Sequence, residues 1–163
     1  MKTIRKVLFI AAALLAAPAF GQGKPAADKP ADYNMQILRE KLQGDKKLLV
    51  AANMDLTEAE AKSFWPIYDE YQKELQKINE QMATTITAYA REYKAKTLTD
   101  ARAKQLIEEA VGVEDAEVKL KHAILPKLAK ALPGRKVARY MQIENKIRAV
   151  IKYEIAAEVP LVQ

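Results

Sequence analysis

From Phe64 onward, large apolar residues return every three or four positions: Phe64, Tyr68, Tyr71, Leu75, Ile78, Met82, Ile86, Tyr89 and Tyr93. That spacing winds onto one side of an α-helix and predicts one long helix ending near Lys96. A second stripe, Ala103, Leu106, Ala110, Val113, Leu120, Ile124, Leu128 and Leu132, predicts another that stops at Pro133-Gly134. Only Lys96-Thr97-Leu98 separates the two, so they fold back as an antiparallel hairpin of about 57–96 and 99–132. Val137, Tyr140, Met141, Ile147, Val150, Ile151 and Ile155 give a C-terminal helix over about 135–158, which Pro160 ends. Ahead of the hairpin, the chain from Asp32 to Asn53 reads as two short helices parted at Gly44-Asp45. The expected fold is all-α: an elongated antiparallel helical hairpin with short N-terminal helices and a C-terminal helix, all in one domain over 33–163.

Folding the chain at Thr97 pairs positions whose numbers sum to about 195, and apolar then meets apolar nearly throughout. The exception is Ile78 opposite Glu117. At about 1.5 Å per residue the first arm is about 60 Å long. Two helices leave much of their stripes wet, so the flanking helices or a second subunit must cover them. Pro66 and Pro126 fall inside the pattern and near one another across the hairpin, which predicts a bend in both arms.

Nearly the same string opens both arms: LTEAEAKSF at 56–64 and LTDARAKQL at 98–106. In the first, Thr57 and Glu60 form a capping box with Leu56 as a staple. In the second, Thr99 caps alike behind Leu98, with Asp100 near the positive helix end. Arg102 cannot return the bond. The repeat therefore marks helix starts and not chemistry.

The N-terminus has another character. MKTIRK is a positive n-region, VLFIAAALLAA an apolar h-region, and Ala17, Ala19 and Gly21 supply small residues before cleavage after Ala19 or Gly21. Residues 1–21 thus read as a secretory signal peptide and 22–32, QGKPAADKPAD, as a flexible linker. The expected location is periplasmic, with no stable membrane span after cleavage. Removing Lys2, Arg5 and Lys6 cuts the net charge from +6 to about +3, so the basicity of the whole chain says little, and export makes nucleic acid a poor partner. The chain has no cysteine, which excludes disulfides, thiol catalysis and thiolate metal sites.

Little in the remaining sequence resembles catalytic or metal chemistry. His122 is the sole histidine and reads as a surface residue; residue 119 is Lys, so the Glu-x-x-His pair of a di-iron bundle is missing. Glu108, Glu109, Glu114, Asp115 and Glu117 read as a solvated acidic face, and Pro133-Gly134-Arg135-Lys136 lacks the frame of a phosphate loop. No catalytic residue, cofactor or metal site is expected. A basic run is the sharper candidate: Lys119, Lys121, Lys127, Lys130, Arg135, Lys136 and Arg139 occur with no acid among them. It either grips a partner or is neutralised by Asp55, Glu58, Glu60, Asp69, Glu70, Glu74 and Glu80 on the other arm. Phe64 and Trp65 either fill the core or anchor a client.

Two Leu-Thr helix starts, Leu56-Thr57 and Leu98-Thr99, in an exported, cysteine-free helical chain resemble the LTxxQ or Spy/CpxP-like group of periplasmic stress proteins. Asn145-Lys146-Ile147 is similar to a segment that follows the hairpin in Spy-like chains, and the resemblance covers roughly residues 45–155. The glutamine of the motif is replaced by Glu60 and Arg102. The resemblance implies a bent helical hairpin, a homodimer, and ATP-independent holding of unfolded clients or modulation of an envelope stress sensor. The expected function is binding and not catalysis. The alternatives are a structural or regulatory envelope module docking through its basic patch, and a transcriptional regulator.

Overall fold

The computed structural model describes residues 46–162. The signal peptide and linker expected over 1–32 and the short helix expected before Gly44 lie outside the described residues. Helix α1 covers residues 46–54, α2 Glu58–Ala95, α3 Asp100–Ala131 and α4 Gly134–Glu158. Among the described residues there is no strand. The protein is all-α, and α2 and α3 form the hairpin.

Each boundary has a local cause. The backbone N–H of Glu60 donates to Thr57 Oγ1 (3.3 Å), and that of Thr57 donates to Glu60 Oε2 (2.8 Å), so the reciprocal capping box forms. Thr99 Oγ1 accepts from the N–H of Arg102 at 3.3 Å. The Arg102 side chain turns instead to Glu92 (3.3 Å) and Glu109 (3.2 Å), tying the start of α3 to the end of α2. Lys96 closes α2 in the left-handed region, at φ 56°, with its N–H on Glu92 O and Tyr93 O. Both helices run on through Pro66 and Pro126, which sit on exposed faces where water can reach the carbonyls they leave unpaired.

Helix α4 makes the hairpin a three-helix bundle. Its contacts with α2 climb in step, from Lys136 on Glu60 through Tyr140 on Tyr71 to Arg148 on Asn79, so the two helices run parallel. Beyond its end, the carbonyl of Pro160 accepts from Tyr89 Oη at 2.7 Å. Tyr140 is fully buried among Phe64, Tyr68 and Tyr71, its ring 5.0 Å from that of Phe64 in an edge-on contact. Leu75, Ile124, Leu128, Leu132 and Val137 extend this core, and Val50 and Met54 of α1 close its end. The stripes read from the sequence are the ones buried, so the covering comes from the same chain. Above this core, Ile78, Ile86, Ala90, Leu106 and Val113 continue the hairpin contact.

Two substitutions separate core from cap. Tyr140→Ala should cost about 4 kcal/mol, as for other buried aromatic truncations, and Thr57→Ala about 1 kcal/mol. Urea denaturation followed by circular dichroism should rank them in that order. Equal midpoints would mean that α4 does not hold the bundle together.

Candidate partner-binding surface

The candidate residues divide between the interior and the surface. Phe64 has no exposed surface, and its ring packs on Trp65, Tyr68 and Tyr140. It cannot anchor a client in this fold, because the arrival of α4 buries the face that a bare hairpin would expose. Trp65 is half-buried, edge-on to Phe64 and Tyr68, with Lys47 Nζ 5.2 Å from its ring centre. Lys47 is itself held by Asp69 at 2.7 Å. Trp65 therefore lies on the rim of the core, beneath α1.

Four of the seven cations in the basic run have partners. Lys127 reaches Glu70 across the hairpin at 2.5 Å, and Lys121 reaches Glu117 on its own helix at 2.8 Å. Lys136 bridges Glu60 (2.6 Å) and the carbonyl of Asp55 (2.7 Å), while Arg139 donates to the carbonyl of Asn53. These last two satisfy carbonyls at the end of α1, where Asp55 takes a left-handed conformation at φ 47°. The Lys136 hydrogen bond and the Thr57 backbone hold the Glu60 carboxyl below its usual pKa. Asp55, Lys136 and Arg139, with Met54, Arg135, Ala138 and Gln142, line an open notch of about 400 Å³ between the end of α1 and α4. Lys119, Lys130 and Arg135 are exposed and make no ion pair among the described residues. Lys119 and Lys130 stand about three helical turns apart and share a face of α3.

The acidic residues also divide. Glu108, Glu114 and Asp115 are exposed, but Glu117 is buried, against the expectation that it belongs to a solvated face. Arg148 of α4 supplies the reason, with Nε and Nη2 on Glu117 Oε2 at 2.7 and 2.6 Å and Nη1 on Asn79 Oδ1 at 2.6 Å. This is the Ile78–Glu117 mismatch of the hairpin, completed by a third helix. Burial pushes the Glu117 carboxyl up, but hydrogen bonds from Lys121 and Arg148 outweigh it and leave the pKa below the usual range. A second polar layer joins Lys46, Gln72, Glu144 and Tyr140. Lys46 Nζ lies 2.8 Å from both Gln72 Oε1 and Glu144 Oε2, and Gln72 Nε2 donates to Glu144 Oε1 at 3.0 Å. Burial pulls the Lys46 ammonium pKa down, and Glu144 offsets part of that pull.

A surface feature that the buried stripes had obscured lies on α3. Ile107, Val111, Val118 and Leu125 are exposed by 61, 53, 51 and 37 %. Ile107, Val118 and Leu125 each directly follow a buried residue (Leu106, Glu117 and Ile124), so they lie about 100° around the helix from the core face. Val111, Val118 and Leu125 recur every seven residues and Ile107 sits four before Val111, which aligns them in one seam. That seven-residue recurrence was the signal available in the sequence. Lys104, Glu114, Asp115, Lys121 and His122 border the seam, with Glu114 paired to Lys152 of α4 at 3.0 Å.

Among the described residues no group of His, Cys, Asp and Glu is placed to hold a metal ion, and no helix is long and apolar enough to cross a membrane. No family model, curated protein or solved structure matches the chain. On α3 and the start of α4, the surface offers a partner the apolar seam and the three exposed cations of the basic run, Lys119, Lys130 and Arg135.

Replacing Glu117 tests the buried layer. Glu117→Gln leaves Arg148 without its counter-charge and should cost about 3 kcal/mol at neutral pH. Because the folded carboxyl has the lower pKa, its contribution is complete above the ordinary glutamate range and is lost as pH falls through the folded value. Melting curves from about pH 7 down to about pH 3 should therefore converge for the wild type and the variant. Curves that stay a constant distance apart would show that the Glu117 charge contributes no stability.

Proposed function

We propose that the chain is an exported, periplasmic, non-enzymatic binding protein of the Spy/CpxP-like kind, holding unfolded or partner protein on an amphiphilic, partly basic surface. The observation that carries this reading is the exposed seam of Ile107, Val111, Val118 and Leu125 on a helix whose other apolar face is already buried. Single exposed aliphatic side chains are ordinary on any protein, whereas four in one line form a surface that apolar segments can occupy. Covering four half-exposed side chains is worth at most about 4 kcal/mol, which corresponds to about millimolar affinity for an isolated segment. Contacts that weak release without nucleotide. The resemblance of the two Leu-Thr helix starts to that family, and the homodimer it implies, accord with a role in holding clients.

A second reading rests on Lys119, Lys130 and Arg135, exposed and without ion partners among the described residues. They suit docking on an acidic envelope partner, with the protein acting as a structural or regulatory module. Such docking would collapse as salt is raised, whereas apolar holding would not.

Light scattering from a chemically denatured client, diluted with and without the protein, distinguishes the readings. Equimolar protein should suppress aggregation, and Val118→Glu with Leu125→Glu should reduce that suppression at least about fivefold while leaving helicity unchanged. Absence of suppression by the wild type at every client ratio would end the holding reading. Suppression lost on adding salt, and unaffected by the two Glu substitutions, would favour the docking module.

A further inference from the structure

Helix α4 sorts its charges by face. None of its acids is exposed: Glu144 and Glu154 are buried and Glu158 is half-buried. Of its cations, Arg148 turns to Glu117 and Lys136 to Glu60, whereas Arg135, Arg139, Lys146 and Lys152 are exposed. At about 100° per residue, Arg135, Arg139, Lys146 and Tyr153 fall within about 40° of one another, on the side opposite Glu144 and Tyr140. They form the outermost ridge of the helix, about 27 Å long from Arg135 to Tyr153. Around them Ala138, Ala149, Ala156 and Ala157 are exposed and short, so the long side chains stand clear of the surface.

The fold does not cancel the charge on this ridge. Arg135 and Lys146 make no ion pair among the described residues, and Arg139 gives its Nε to the carbonyl of Asn53, an acceptor without charge. The acids at its flanks are Asp55, which shares the notch with Arg135 and Arg139, and Glu114, which Lys152 holds at 3.0 Å. Tyr153, 69 % exposed, is the one exposed aromatic side chain among the described residues. Long cationic side chains in line with an amphipathic ring suit an anionic membrane surface, where the cations reach phosphates and the ring sits at the headgroup level. An acidic protein would be gripped through a closely packed apolar centre, which the ridge lacks. A fluid array of headgroups needs no matching shape.

We propose that α4 lays this ridge on a membrane surface of anionic phospholipid, with Arg135, Arg139 and Lys146 on the phosphates and Tyr153 among the headgroups. Each cation near such a surface contributes about a fivefold factor to partitioning, so three give a preference of about 100-fold over a neutral bilayer. That is a reversible, peripheral attachment. It requires no membrane-crossing helix, and none of the described helices is long and apolar enough to be one. The seam of Ile107, Val111, Val118 and Leu125 lies on another helix, and of the three cations assigned above to a docking module only Arg135 is shared. Attachment through the ridge therefore stands apart from client holding.

The test uses protein beginning at Gln22, because the apolar run at 7–20 would bind a bilayer by itself and the bundle over 46–162 lies outside it. In co-sedimentation, vesicles of phosphatidylglycerol should take up the protein about 100-fold more strongly than vesicles of phosphatidylcholine, and added salt should remove the difference. Arg135→Gln with Lys146→Gln should lower uptake by the anionic vesicles about 25-fold. Lys119→Gln with Lys130→Gln removes the same charge from α3 and should lower it less than about threefold. All four sites are exposed, so helicity is retained in both variants. Because the chain has no cysteine, an environment-sensitive dye on Tyr153→Cys reports that site alone, and its emission should shift to the blue on anionic vesicles. The same dye on Val118→Cys should not shift. Equal uptake by the two kinds of vesicle, equal losses from the two pairs of substitutions, or a shift at 118 and not at 153 would overturn the proposal. Capture of soluble polyglutamate that Arg135→Gln and Lys146→Gln abolish, with no uptake by vesicles, would overturn the membrane and make the ridge a contact for acidic protein. Failure to hold clients in the light-scattering assay would remove the holding reading and leave these outcomes unchanged.

Discussion

The structure depends on the burial of Tyr140 between the arms of the hairpin. Two long helices joined by a tight turn can cover one face of each other and no more, and the aromatic residues of α2 need a third surface. Tyr140 supplies it, with Phe64, Tyr68 and Tyr71 around its ring and no exposed area of its own. Once α4 is seated there, several other features are fixed. Lys136 and Arg139 fall on the end of α1, Arg148 falls on Glu117, and the side of α3 carrying Val118 is left in water.

Apolar packing alone would let α4 slide along its groove, since one aliphatic contact resembles the next. The two polar layers oppose this. A shift of one helical turn would carry Arg148 away from Glu117 and Asn79, and Glu144 away from Lys46 and Gln72, leaving charges buried without partners. The cost of an unpaired buried charge greatly exceeds the net gain from making the pair, so these layers specify register more than they add stability. Glu60 works in the same way at the surface: it completes the cap of α2 and also receives Lys136, so one carboxylate fixes a helix start and the position of α4.

Most of the architecture was legible because its signals are local. The three-and-four spacing from Phe64 to Tyr93, the Thr57–Glu60 box and the short link at Thr97 each act within a few residues of themselves, and each appears in the structure as read. The functions of single residues were less legible. Glu117 looked like one more acid on a wet face because its counter-charge, Arg148, lies on another helix thirty-one residues away. Phe64 was left between core and client anchor because nothing local says that Tyr140 will cover it, and its burial decides for the core. The seam of Ile107, Val111, Val118 and Leu125 was hidden for a different reason. The eye follows the stripe that best satisfies the helix period, and a second stripe about 100° away reads as noise until the first is known to be buried.

The basic run shows how far a charge count can mislead. Seven cations in twenty-one residues suggest a surface that attracts anything acidic. In the folded chain Lys121, Lys127, Lys136 and Arg139 are engaged with Glu117, Glu70, Glu60 and the last carbonyls of α1, so their charge is largely spent on holding the bundle together. What remains for a partner is Lys119, Lys130 and Arg135, exposed and dispersed over about three turns of α3 and the start of α4. Charges so spaced and so open to solvent are heavily screened and steer encounter more than they hold a complex. Whatever grip this surface has must then come from the apolar seam, where contact with a partner removes water that salt does not displace.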